Sequence, residues 1–261
     1  MKWTEIDHEL KERMRLRTDP IAYARLEKEG DLAGIKHVFR VPQAATFCQV
    51  LYMARTLKLT VGITRADKVG ERCMRIHGTQ PTTEASMRGE AEMLSTTWFK
   101  NPDEAYQQQL DTYRIPPGEA VVVAPLGGVG FDPEVVVIFG NPAQLMLLMC
   151  GLQKEKYERF NFFFTGEGAC ADSLARCYLT GTPSLAIPCY GERSIGQVAD
   201  DELVIAMPPG QIEKAISGMR KLSEISFGFR YPVASLGGTA DVEPAMRMTY
   251  PGLFSEATED L

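Results

Sequence analysis

Residues 119–152 read EAVVVAPLGGVGFDPEVVVIFGNPAQLMLLMCGL, and this stretch decides the fold class. The valine runs at 120–125 and 135–139 do not alternate with polar residues, which predicts strands covered on both faces. A glycine-bearing loop over 126–133 joins them. Asn141-Pro142 then supplies a helix cap and a proline suited to the first helical position. The helix body, 143–152, is apolar almost all round and is expected to be deeply buried, with Cys150 in the core. Strand, loop, strand and helix in this order point to an α/β protein.

Downstream the same order returns. Ala186-Ile187-Pro188, Glu202-Leu203-Val204-Ile205 and Pro209-Gly210-Gln211-Ile212 match Val123-Ala124-Pro125, Glu134-Val135-Val136-Val137 and Pro142-Ala143-Gln144-Leu145 in type, at offsets drifting between 63 and 68 residues. The reading is an approximate internal strand-loop-strand-helix duplication. Between the two copies, Phe162-Phe163-Phe164 reads as a short buried strand stopped by Thr165-Gly166-Glu167-Gly168. A helix over 169–178 should follow, with Cys170, Leu174 and Cys177 on one stripe, and a strand over 184–188 leads to Cys189. If those two strands are parallel, both sulfurs emerge at the carboxyl edge of the sheet, where open α/β sheets bind ligands.

Upstream, 2–15 form a polar helix, 20–26 a short strand and 38–41 another extended piece. A helix is expected from Pro42, with Phe47, Val50, Leu51 and Ala54 sharing a face and Cys48 at its flank. Residues 58–64 read as a strand, 67–73 as a polar loop delivering Cys73, and 82–114 as polar helix covering one face of the core. The Gly/Pro-interrupted residues 228–261 look like a wrapping segment. The chain, 1–261, is therefore expected to form one α/β domain. Its mixed sheet should contain strands around Val122, Val136, Phe163, Leu185 and Leu203, with helices on both faces.

Composition excludes several function classes. With 28 Lys plus Arg against 34 Asp plus Glu, the formal charge of −6 offers no basic field for nucleic acid or an anionic membrane. The charged start, MKWTEIDHELKERMRLR, lacks the apolar core of a secretory signal, and no later run approaches a membrane span, so a cytoplasmic location is expected. Six cysteines in 261 residues are too few for a secreted disulfide scaffold. Thiols, metal ligands and core filler are the readings left.

Cys48, Cys73, Cys170 and Cys189 fall at turns or helix flanks, not inside apolar elements. Thiolates are the ligands that iron–sulfur clusters and zinc prefer, and about four of them make a site. Gaps of 25, 97 and 19 residues match no local metal fingerprint, so only the fold can gather them. The competing reading is four thiols used as small hydrophobes. Cys170 alone, in a first helical turn, could be a nucleophile, although Glu167 and Asp172 place negative charge beside it. Gly166 to Ala171 fits G-x-G-x-x-[GA] after a strand, but Glu167 would repel a pyrophosphate. A second candidate site takes an anionic group: Arg55 and Arg193 as guanidinium forks, with the helix N-termini at Gly168 and Asn141. Arg72 and Arg193 each stand in a Gly-Glu-Arg turn and could instead pair internally. His77, four residues after Cys73, reads as a surface residue before a ligand.

Several segments together resemble the domain-of-unknown-function 169 family. They are Leu16 to Ala22, Phe47-Cys48-Gln49 with Ala54-Arg55, Val123 to Leu126, Asp132 to Val136, Gly140 to Gln144, Cys170, and Pro188 to Arg193. The resemblance spans roughly residues 10–230 of a family of uncharacterised prokaryotic proteins. It implies cysteines at the positions of Cys48, Cys73, Cys170 and Cys189 but not at Cys150 or Cys177. Around Cys73 this chain departs, reading Cys-Met-Arg-Ile-His where relatives look like Cys-Pro followed by glycines. The leading expectation is a metal- or iron–sulfur-binding, redox-linked protein with those four cysteines as ligands and with Asn141 and Arg193 orienting ligand or substrate. The alternatives are a metal-free protein or enzyme for an anionic small molecule, and an accessory subunit without chemistry of its own. A small-molecule ligand or a redox partner is implied by the first two.

Overall fold

The computed structural model describes residues 1–224, so the expected wrapping segment at 228–261 lies outside the described residues. Strands β1 (Ile21–Leu26), β2 (Val38–Arg40), β3 (Thr60–Thr64), β4 (Ala120–Pro125), β5 (Val135–Gly140), β6 (Ser184–Ala186) and β7 (Leu203–Met207) form one sheet in the order β2-β3-β4-β1-β5-β7-β6. The sheet is mixed: β2 and β3 are parallel, and the other neighbours are antiparallel. β1 wedges between the two valine strands, with Tyr23 opposite Val123 on one side and Val135 on the other. That pairing uses both edges of β1 and draws the N-terminal chain into the middle of the sheet.

Side chains alternate between two buried faces, which is why the valine runs need no polar partners. On one face Val135, Val137 and Phe139 of β5 join Val204 and Ala206 of β7. Helix α2 (Phe47–Arg55) packs there, as does a π-helical turn, Ala171–Ala175, that continues into α7 (Arg176–Thr180). On the other face Val136, Ile138, Ile205 and Met207 meet α1 (Trp3–Met14), α6 (Pro142–Glu155) and α9 (Pro209–Ser223). Helices thus cover both faces, as the sequence predicts. No helix among the described residues is long and apolar enough to cross a membrane.

Asn141 caps α6 by accepting the Gln144 N–H, with Pro142 at the first turn. Gly151 and Gly218 let α6 and α9 approach backbone to backbone: a Cβ built on Gly218 would lie 1.8 Å from the Gly151 carbonyl oxygen.

The structure corrects five local expectations. Residues 162–164 are not a strand: Phe163 and Phe164 are exposed, and Phe160 stacks on Phe162 with centroids 6.2 Å apart. A short apolar run carries no periodicity to separate a buried strand from an exposed aromatic segment. Cys170 therefore follows a loop, and the premise of two parallel strands ending at the cysteines fails. Helix α2 begins at Phe47, not Pro42, because Thr46 and Gln49 form a reciprocal capping box. Cys73 lies within a short helix, α3 (Glu71–Ile76), not on a loop. Residues 82–114 split into α4 (Glu84–Ser95) and α5 (Pro102–Asp111), a hairpin with its own small core of Ala91, Leu94 and Ala105. Cys150, expected in the core, is half-buried on α6.

Candidate functional site

Cys48, Cys73, Cys170 and Cys189 line one cavity of about 230 Å³. Each comes from the start of a separate helical segment. Cys48 is the second residue of α2, Cys73 the third of α3, Cys170 precedes the π-helical turn, and Cys189 is the N-cap of α8 (Tyr190–Ser194). Cys150 and Cys177 are not in the cavity wall. Gly191 passes close to two of the sulfurs: a Cβ placed on it would lie 3.6 Å from Cys48 Sγ and 3.9 Å from Cys189 Sγ.

The thiols are knitted together by the segments that carry them. The Phe47 N–H bonds to the Cys73 sulfur, and the N–H groups of Ala169, Gly191 and Glu192 bond to that of Cys189. Hydrogen bonding with Cys170 and Cys189, together with burial, pushes the Cys48 thiol far up. The same Cys48 bond, helped by the backbone donors and opposed by burial, brings Cys189 down to about 5. Burial and then the charges of Cys170 and Cys189 raise Cys73 to about 11. Behind Cys189 lies Glu192, whose two carboxylate oxygens are buried without a hydrogen-bond partner. Burial and then Cys189 push it up to about 8. One thiolate is therefore stabilised at the expense of its acidic neighbours.

Among the described residues, no group of three or more His, Cys, Asp or Glu side chains stands in a compact arrangement ready to hold a metal ion. The four thiols share a cavity without forming a closed coordination shell.

The expected anion site does not assemble. Arg55 is fully buried, and its Nη2 donates to the carbonyls of Gly196 at 2.7 Å and Gln197 at 2.9 Å. Arg193 likewise donates to the Ala199 carbonyl at 2.7 Å. A guanidinium fork suits carbonyls as well as anions, and here both forks hold the loop that follows α8. Asn141 caps α6 and is not in the cavity wall, whereas Gly168 is. Arg72 reaches the cavity but makes a bidentate pair with Glu167, and its Nε lies 2.6 Å from Glu90.

His77 is neither on the surface nor in the cavity wall. Its ring stacks on Phe47 at 3.5 Å between centroids and touches Tyr23, with both nitrogens buried and unpartnered. Burial lowers it to about 3, so it is a neutral core residue. Two residues of the cavity mouth were not singled out as site residues in the sequence: Trp98, from the α4–α5 connection, and Tyr190, whose rings lie 5.7 Å apart. Thr46, also in the wall, was missed with the start of α2, and its T-x-x-Q capping box is the signal that could have found it.

No solved structure matches the chain. A stretch of 107 residues, 41% of this chain, is 28% identical to the uncharacterized protein MJ0308 of Methanocaldococcus jannaschii and covers 46% of that protein. The model of the DUF169 family, described as Uncharacterised ArCR, matches residues 9–218, and the chain belongs to that family.

Proposed function

We propose that the protein is a cytosolic, redox-linked carrier of a thiolate-bound metal, foremost an iron–sulfur cluster, held by Cys48, Cys73, Cys170 and Cys189. The observation that carries this reading is convergence. Four cysteines separated by 25, 97 and 19 residues line one cavity, while Cys150 and Cys177 stay out of it. Thiols serving only as small hydrophobes have no reason to be sorted in this way. Number and type fit: four soft sulfurs are the usual ligand set of a cluster or a structural zinc. Backbone N–H bonds to ligand sulfurs, of the kind made to Cys73 and Cys189, are also a means of tuning a cluster's potential.

On this reading the four thiols turn into the cavity of about 230 Å³ that they line when metal enters. The metal-free alternative, an anion held by Arg55 and Arg193, is less favoured because backbone carbonyls already occupy both forks. The test is purification without oxygen, followed by a visible spectrum and assays for iron, zinc and acid-labile sulfide. Metal is expected in wild type and in Cys150→Ser and Cys177→Ser, and is expected to be lost in Cys48→Ser, Cys170→Ser and Cys189→Ser. Colourless, metal-free protein whose cavity thiols all react freely sinks the reading.

A further inference from the structure

We propose that the α4–α5 hairpin is a hinged lid over the four-cysteine cavity, and that its opening sets access to the thiols. As regulation of a metal site this rests on the preceding reading, but the opening itself is read from the thiols alone.

Three observations carry it. The first is that the hairpin is an excursion with a clamped base. The chain leaves the body after Ile76 and returns at Ile115, where the Ile115 N–H donates to the Ile76 carbonyl at 2.8 Å and the Gly118 N–H to that of Gly78 at 2.9 Å. Gly78 sits at φ +77°, and a Cβ there would lie 2.4 Å from the Pro116 carbonyl oxygen, so the crossing needs glycine. Two adjacent connectors joined at one point make a hinge.

The second is that the hairpin's apolar contacts are mainly its own. Ala91, Leu94 and Ala105, with Phe99 and Tyr106, form a cluster separate from those of the sheet. Units with few apolar contacts to the body open at lower free energy than the core does.

The third is that its fastenings to the body surround the cysteines and are polar or exposed. Glu90 of α4 receives Arg75 at 2.7 Å and stands beside Arg72, and Gln108 of α5 donates to Glu167 at 3.0 Å. Trp98 lies against Tyr190 at the cavity mouth, both rings exposed. A second cleft, of about 520 Å³, runs between α3 and α4 and is also walled by Arg72 and Cys73. The hairpin thus rests on ionic and aromatic latches between two open spaces.

The test uses metal-free protein, with N-ethylmaleimide labelling of each cysteine followed by peptide mass spectrometry and hydrogen exchange in parallel. Trp98→Ala and Gln108→Ala each remove one latch contact without touching a cysteine. Each is expected to raise the labelling rates of Cys48, Cys73 and Cys170 by roughly five- to tenfold, the scale of one lost contact. Amides of 84–111 should exchange faster as a group, while those of β4 and β5 and the labelling of Cys150 stay unchanged. Labelling that does not respond to either variant overturns the lid. So does labelling that rises only in step with exchange in β4 and β5, because global unfolding would then explain it. Latch-dependent labelling in a protein that never takes up metal would keep the lid and remove the cofactor.

Discussion

Replacing Arg55 by methionine keeps most of its apolar stem and removes the guanidinium. The side chain is 2% exposed, stacks 4.7 Å over the Phe139 ring, and fastens α2, which carries Cys48, to the Gly196 and Gln197 carbonyls behind Cys189. Its Nη1 also stands 4.0 Å from Glu202, which is equally buried. A hydrogen bond from a charged donor contributes about 1.5–3 kcal/mol, and the carbonyls and carboxylate left behind stay buried. Removing one partner of such an arrangement costs about 3–5 kcal/mol, and the terms are not additive, so that range is the expected total for Arg55→Met. Against a total stability of about 5–15 kcal/mol this lowers the melting temperature by roughly 10 °C. Arg55→Lys keeps the charge but reaches only one carbonyl, and is expected to lose about half as much. Urea unfolding followed by circular dichroism measures both. A loss below about 1 kcal/mol for Arg55→Met would refute the assignment of Arg55 as the fastener of the site.

Two further variants test the packing and the buried imidazole. Helix propensity alone says that Gly218→Ala gains about 1 kcal/mol. The added Cβ would fall 1.8 Å from a backbone oxygen that cannot rotate away, so the helices must part and a net loss of at least about 2 kcal/mol is expected in urea unfolding. Gly210→Ala, with nothing within 4 Å, should be neutral or slightly stabilising, and equal midpoints for the two variants would contradict the close approach. His77 has its folded value depressed from 6.5 to about 3, so between these the unfolded chain binds a proton that the folded chain refuses. Stability from this group is therefore present above about pH 6.5 and is lost as pH falls, by up to about 1.4 kcal/mol per pH unit. His77→Phe should match wild type or exceed it at pH 7 and show a shallower decline between pH 6 and 4.5. Identical slopes would mean that the imidazole protonates inside the fold.

Strands β3, β4, β5 and β7 were legible because β-branched runs covered on both faces leave a continuous apolar signature. Their order was not, because β1 enters between β4 and β5 through contacts a hundred residues apart, about which local pattern is silent. The Phe162-Phe163-Phe164 run shows the converse error: hydrophobic composition without periodicity marks affinity for something apolar, not a place in the sheet. At the site, the cysteines stood out because they interrupt no apolar element, so packing alone did not account for them. Arg55 and Arg193 misled for a chemical reason. The planar fork that clamps a carboxylate also clamps two carbonyls, and residue type does not tell them apart. Trp98 was invisible because it reaches the cavity from a hairpin whose placement depends on Glu90 and Gln108 meeting Arg75 and Glu167.

The electrostatics of the cavity bear on what it is built to hold. Cys48, Cys73, Cys189 and Glu192 are all acids, all largely withdrawn from water, and the cations whose fields reach them, Arg55, Arg72 and Arg193, are committed to carbonyls and to other carboxylates. In such a group ionising one member makes the rest harder to ionise, which is the pattern seen: Cys189 is pulled down, while Cys48, Cys73 and Glu192 are pushed up. A core meant only to be stable would hold this space with aliphatic side chains, since buried acids without cations contribute little and leave polar atoms unsatisfied. On the proposed reading, a cation coordinated among the sulfurs would relieve the conflict, because it would let several thiols lose their protons together. The acids that frustrate one another in the cavity are, on that reading, the same ones that would take up a metal, and a protein that binds none would leave them without that role.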